Sequence, residues 1–135
     1  MIVVDTNILI YAALPGAGSG LREQLLQRDF EWAAPFLWRS EFRNVVAGYL
    51  RRRELSRAEA AKALVIAGDF LTAGEYDVAD ADVLDLVENS RCTSYDCEFV
   101  ALAKALRVPL ITEDRAVLRS FPQYCRSARE FLGPP

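Results

Sequence analysis

Four acidic residues of this 135-residue chain have the type and placement to do chemistry: Asp5, Glu41, Asp96 and Asp114. Asp5 follows Met1 to Val4, a run with no polar residue that reads as a strand buried on both faces. A carboxylate at the C-terminal end of such a strand lies at the rim where open α/β sheets bind ligands. Asp5 or Thr6 could equally N-cap the helix that Ile8 to Ala13 begins. Asp114 repeats the pattern behind a second buried run, Val108 to Thr112, again with helix capping as the competing role and with Glu113 as a rival facing solvent. Asp96 falls in the first turn of a helix, where the dipole favours an anion by up to about 1 kcal/mol without any ligand. Glu41 interrupts an apolar stripe of Leu37, Trp38 and Val45. An inward carboxylate is costly unless it is paired or binds a cation; the competing reading is a surface pair with Arg39 or Arg43, with the stripe rotated by a residue.

Taken together, the four acids would crowd one sheet edge. Carboxylates gathered in this way repel one another, and their pKa values rise unless a cation neutralises them. Oxygen donors without imidazole or thiolate suit Mg²⁺, with Mn²⁺ as the substitute. Such a site supports phosphoryl transfer or phosphodiester hydrolysis best.

Composition narrows the classes further. The chain has no histidine, which removes Ser-His-Asp and Cys-His nucleophilic catalysis and most catalytic zinc sites. The three cysteines, Cys92, Cys97 and Cys125, fit neither a disulfide framework nor a zinc site and are expected to be buried thiols. The net charge is -3, but with the four acids set aside the remaining 15 acids face 16 bases. Fourteen of those bases are Arg, which suits phosphate binding and equally follows from a GC-rich genome. No apolar run approaches the roughly 20 residues of a membrane span, and no basic segment precedes the first apolar stretch, so the expected compartment is the cytoplasm.

The elements that must position these residues alternate. One domain over 1–135 is expected, built on helices from Leu21 to Asp29, Phe36 to Arg52, Ser56 to Leu71, from Asp80 onward, Ser94 to Leu106, Asp114 to Ser120 and Ala128 to Leu132. Strands are expected at Glu31–Ala34, Glu75–Val78, Val108–Thr112 and Tyr124–Arg126. Pro35 opens the long helix, Ser56 and Glu59 form a capping box, and Ser19 and Ser94 act as N-caps. Leu14 to Gly20 is a loop that lacks both the P-loop and the dinucleotide fingerprint. Alternating strands and helices give a mainly parallel sheet covered on both faces.

Four motifs then match a known family: Asp5-Thr-Asn-Ile-Leu, Pro35-x-x-Trp-x-Ser-Glu-x-x-Asn44, Thr93-x-Tyr-Asp-x-x-Phe-x-Ala-Leu-Ala103 and Leu110-Ile-Thr-x-Asp114. In order and spacing the chain resembles PIN-domain ribonucleases, and among them the VapC-like toxins of type II toxin–antitoxin systems. The resemblance implies a three-layer α/β/α fold with a five-stranded parallel sheet. It implies that Asp5, Glu41, Asp96 and Asp114 are an acidic metal quartet, with Thr6 and Thr112 as polar support. It implies an endoribonuclease acting on tRNA or rRNA, a homodimer, and a small antitoxin partner. On this reading Asp5 and Asp96 ligate Mg²⁺ directly, while Glu41 and Asp114 hold its waters or a second ion. Arg39, Arg43 or the run Arg51 to Arg53 would hold the RNA backbone; for the run, a solvated helix end is the competing role. Two other readings remain. One is a haloacid-dehalogenase-type phosphatase, which would need an Asp where Asn7 stands; the other is a catalytically silent PIN-fold binding module.

Overall fold

The structure, a computed structural model, describes residues 1–16 and 20–134. Along the chain run β1 (Ile2–Val4), α1 (Thr6–Ala13), α2 (Leu21–Arg28), β2 (Trp32–Pro35), α3 (Trp38–Arg51), α4 (Arg57–Phe70) and β3 (Glu75–Tyr76). There follow α5 (Asp80–Glu88), α6 (Ser94–Leu106), β4 (Leu110–Ile111), α7 (Arg115–Ser120), β5 (Cys125–Arg126) and α8 (Ala128–Leu132). The strands form one sheet in the order β3-β2-β1-β4-β5, and every neighbouring pair is parallel. The apolar run behind Met1 is thus the central strand. Val3 lies opposite both Ala33 and Leu110, and Ile2, Val3 and Val4 are buried. A strand with neighbours on both sides and helices over it has no water-facing side, which is why its sequence shows no alternation.

Helices flank the sheet. α6 lies across β1, β2 and β4 and pairs with α5, while α1, α3 and α4 pack on one another. α6 contributes Phe99 to Ala103 as an unbroken buried segment, its alanines allowing close approach to the strands. α4 presents the stripe Ala60, Ala63 and Ala67, at helical spacing. The capping box at its start forms as the sequence predicts: Ser56 Oγ accepts from the Glu59 amide at 3.1 Å, and Glu59 Oε1 accepts from the Ser56 amide at 2.9 Å.

Several boundaries differ from the sequence reading, each for a local reason. Pro35 closes β2 instead of opening α3, because it still pairs with Tyr76; a turn at 36–37 intervenes before the helix. Thr93, not Ser94, caps α6. Its backbone is extended and its hydroxyl accepts from the Asp96 amide at 3.1 Å, so Ser94 is the first helical residue. Asp114 stands outside α7 as its cap. β3 and β4 are shorter than predicted. Cys97 and Cys125 are buried as expected, but Cys92 is only half-buried. Ser19, expected to cap α2, lies outside the described residues. Among those described, no helix is long and apolar enough to cross a membrane.

One glycine sets the sheet's outer register. Gly74, just before β3, accepts the Ala34 amide at 2.8 Å, and a Cβ built there would land on the Trp32 carbonyl oxygen. Both partners are backbone, so neither can step aside cheaply. Gly74→Ala is expected to lower unfolding free energy by about 1–3 kcal/mol or more, read by urea denaturation, with β3 and the start of α5 losing amide protection first. An unchanged midpoint would show that the strand has room the structure denies it.

Candidate functional site

Because all five strands are parallel, their C-terminal ends share one edge, and the helices that return to the next strand begin there. Asp5 follows the end of β1 directly. Asp114 follows β4 by two residues, with Thr112 and Glu113 between. Glu41 lies in the first turn of α3, which leaves the end of β2, and Asp96 in the first turn of α6, which runs back to β4. The topology therefore brings all four acids predicted from sequence to one edge.

Two buried threonines tie the edge together. Thr6 Oγ1 donates to Glu41 Oε1 at 2.7 Å, joining α1 to α3. Thr112 Oγ1 donates to Asp5 Oδ2 at 2.6 Å and accepts from the Asp114 amide at 3.0 Å, joining the ends of β1 and β4. Both threonines are buried, and each hydroxyl proton goes to a carboxylate. The capping reading holds as well: Asp5 Oδ1 accepts from the Thr6 amide at 2.7 Å, and Asp114 Oδ1 accepts from the Ala116 and Val117 amides at 2.9 and 3.1 Å. Capping occupies one oxygen of each Asp and leaves the other for the edge.

The electrostatics follow from burial and crowding. Burial is the largest cause raising Asp5, from 3.8 to about 6; Thr112 and Thr6 oppose it, and Asp96 and Asp114 add to it. Burial also raises Glu41, where the Thr6 hydroxyl opposes the rise and the charges of Asp5, Asp96 and Glu98 reinforce it. Asp96 is raised by burial and by Asp114, partly offset by Thr93. Three carboxyls on one edge are thus held above their ordinary range by the same two causes.

The structure corrects the apolar stripe of α3. The buried stripe of α3 is Trp38, Phe42 and Val46. Glu41 flanks this stripe half-buried, and Val45, assigned to the stripe from sequence, is exposed. On α6 the ring of Tyr95 is exposed while Phe99 and Leu102 are buried, because the first helical turn projects beyond the sheet. Glu113 faces solvent and its Oε1 accepts the Ala128 amide at 2.9 Å, leaving Asp114 as the acid of that loop.

Two residues escaped the sequence reading. Asn7 spans the edge: its Nδ2 lies 3.4 Å from both Asp5 Oδ2 and Thr112 Oγ1, and its Oδ1 accepts the Glu113 amide at 3.3 Å. Its place inside the Asp5-Thr-Asn motif was the available signal. Glu98, half-buried and raised by burial, acts on Glu41 from one turn along α6, and nothing in its spacing marks it.

The predicted RNA-contact arginines part company. Arg39 donates to both oxygens of Glu75, at 3.0 and 2.7 Å, and stacks over Trp38 at 4.8 Å. Trp38 Nε1 also donates to Glu75, at 3.2 Å. This pair fastens the first turn of α3, and with it Glu41, to β3. Arg43 is exposed on α3. Arg51 to Arg53 lie at the other end of α3, about 15 Å along the helix from Glu41, and Arg52 is paired with Glu54.

Among the described residues no three acids form a ready-made cage around an ion. The donor set nonetheless fits a hydrated hard cation. Its donors are all oxygen, the carboxyls of Asp5, Glu41 and Asp96 are raised by burial and by neighbouring acids, and Mg²⁺ keeps several waters while touching only one or two carboxylates directly.

The PIN domain family profile matches residues 2–122. The chain belongs to the PIN domain family, whose members are typically metal-dependent nucleases. Among solved structures it is similar to PAE2754 from Pyrobaculum aerophilum, with a TM-score of 0.77 at 18% identity over 97% of this chain and 85% of that one, a likeness of fold. No curated protein matches it in sequence. The phosphatase reading is not favoured, and Asn7 here serves the edge as a hydrogen-bonding bridge.

Asp5 gives this site a pH signature. Its carboxyl holds its proton up to about 6 in the folded chain against 3.8 outside it, so protonation favours folding. Asp5's contribution is complete below about pH 3.8 and is lost as pH rises through about 6, a change of the order of 3 kcal/mol at most. In EDTA, the stability of wild type relative to Asp5→Asn is expected to fall between pH 4 and 6 and to level off above. Parallel thermal-unfolding profiles would contradict the burial of this charge.

Proposed function

From membership in the PIN domain family, we propose that this chain is a Mg²⁺-dependent endoribonuclease and the toxin of a type II toxin–antitoxin pair. In this role it cleaves tRNA or rRNA to leave 5′-phosphate and 3′-hydroxyl ends. The observation that carries the reading is the convergence of Asp5, Glu41, Asp96 and Asp114 on one sheet edge with three of them raised. A homodimer and a small antitoxin covering the acidic edge complete the proposal.

Asp5 and Asp96 would hold the cation directly, with Glu41 and Asp114 holding its waters or a second ion. When bound, the metal supplies Lewis-acid activation of water and screens the phosphate charge. The chain's own residues do the rest. Thr112 fixes the rotamer of Asp5 by its short bond to Oδ2. Thr6 fixes one oxygen of Glu41, leaving the other to orient the attacking water and accept its proton. Glu41's raised affinity for a proton suits it to that task.

Incubating total RNA with the purified protein in Mg²⁺ or EDTA, then sequencing 5′-phosphate ends, tests the reading. Cleavage is expected only with metal. Thr112→Val is expected to cost about 10–100-fold, the usual effect of losing a group that orients a ligand, and Asp96→Asn more than that. Full metal-dependent cleavage and toxicity in Asp5→Asn or Asp96→Asn would defeat the mechanism. Co-expression of a short neighbouring reading frame should suppress toxicity if it encodes the antitoxin.

A further inference from the structure

RNA presents a dense line of negative charge, and the acidic edge by itself repels it. Cations must therefore stand beside that edge, yet Arg39 is committed to Glu75, Arg52 to Glu54 and Arg22 to Glu23. Three other arginines lie on the α7 side. Arg115 follows Asp114 directly, and Arg119 stands one turn further along α7, on the same side of that helix. Arg91 lies in the loop that leads into α6, two residues before its cap Thr93 and five before Asp96. That loop touches α7: Cys92 Sγ lies 4.0 Å from the Ala116 carbonyl oxygen, and Arg91 and Arg115 are the chain neighbours of these two residues. All three arginines are exposed. Among the described residues no carboxylate oxygen lies within 4.0 Å of any of them.

We propose that Arg91, Arg115 and Arg119 form the strip that holds the RNA phosphodiester backbone against the acidic edge; the inference rests on the nuclease reading above. Guanidinium groups suit this use because they are always charged and present paired donors to phosphate. The strip flanks Asp96 and Asp114, so a backbone lying along it passes the acids from the α7 side. Sequence alone points instead to α3, where Arg39 is occupied by Glu75 and Arg43 is exposed. Three exposed guanidinium groups without a carboxylate within 4.0 Å among the described residues are free to take an anion beside the acidic edge.

The test measures binding of a single-stranded RNA oligonucleotide by fluorescence anisotropy in EDTA, from 50 to 200 mM salt. Neutralising all three, as R91Q/R115Q/R119Q, is expected to make the slope of log affinity against log salt shallower by about two, at roughly 0.7 per phosphate on a single strand. The triple Lys variant should restore the slope, since it keeps the charge, and Arg57→Gln, at the exposed start of α4, should leave it unchanged. With Mg²⁺ the Gln variant should raise KM about 10-fold or more, with kcat nearly constant and the cleavage positions unaltered. A wild-type salt slope in the Gln variant would overturn the inference. So would loss of kcat at constant KM, a Lys variant as weak as the Gln variant, or no RNA binding by the wild-type protein. If binding depends on the strip but no RNA is cleaved with metal, the nuclease reading fails and the strip stands.

Discussion

The hydrogen bond from Thr112 to Asp5 joins the ends of the central strand β1 and its neighbour β4 at the point where carboxylates crowd together, and the arrangement of the edge depends on it. Its donor is fully buried, and its acceptor carries a charge that burial and two neighbouring aspartates disfavour. Without a donor so placed, the carboxylate at the end of β1 would be driven further towards its neutral form or turned out to solvent. The same hydroxyl accepts the Asp114 amide, so one oxygen atom sets both the rotamer of the first acid and the loop that bears the last. Thr6 repeats the device for Glu41. Each buried threonine spends its hydroxyl proton on an acid, and what is left unsatisfied on the edge is negative charge.

Much of this was legible in the residues. The apolar runs at Met1–Val4 and Val108–Thr112 show no alternation because their central residues, Ile2–Val4 and Leu110–Ile111, lie buried inside a parallel sheet, and that marks them as strands ending near an Asp. Parallel topology did the rest, since helices returning to such strands must begin at the edge where the strands stop. The partners of polar groups were less legible. Asn7 bridges residues more than a hundred positions apart, and Glu75 holds Arg39 and Trp38 from a strand of two residues. Neither pairing has a periodic signature, because each depends on which loops happen to meet. Glu41 was read as interrupting a core stripe, but helix ends that overhang a sheet have half-buried positions that periodicity alone assigns to the interior.

The arginines show why counting residue types misleads. Fourteen are present, and those described in close ion pairs do structural work: Arg39 fastens the helix that carries Glu41, and Arg52 closes the far end of that same helix against Glu54. A guanidinium group opposite a carboxylate is a clasp, and one without such a partner is available to an anion from outside. The distinction is invisible in sequence, where Arg39 beside Trp38 and Glu41 looked the better placed.

The sheet order has a consequence for how the protein is made. Of the five strands β1 is made first, and it is flanked on one side by β4, whose residues come more than a hundred positions later. Until that segment emerges, Asp5 has neither its threonine donor nor Asp96 and Asp114 for neighbours. Synthesis from the N-terminus therefore withholds the acidic edge until nearly all of residues 1–114 are available to fold. A nascent chain held close to ribosomal RNA would carry no assembled site, and a fragment ending before β4 would have the first acids without the strand that aligns them.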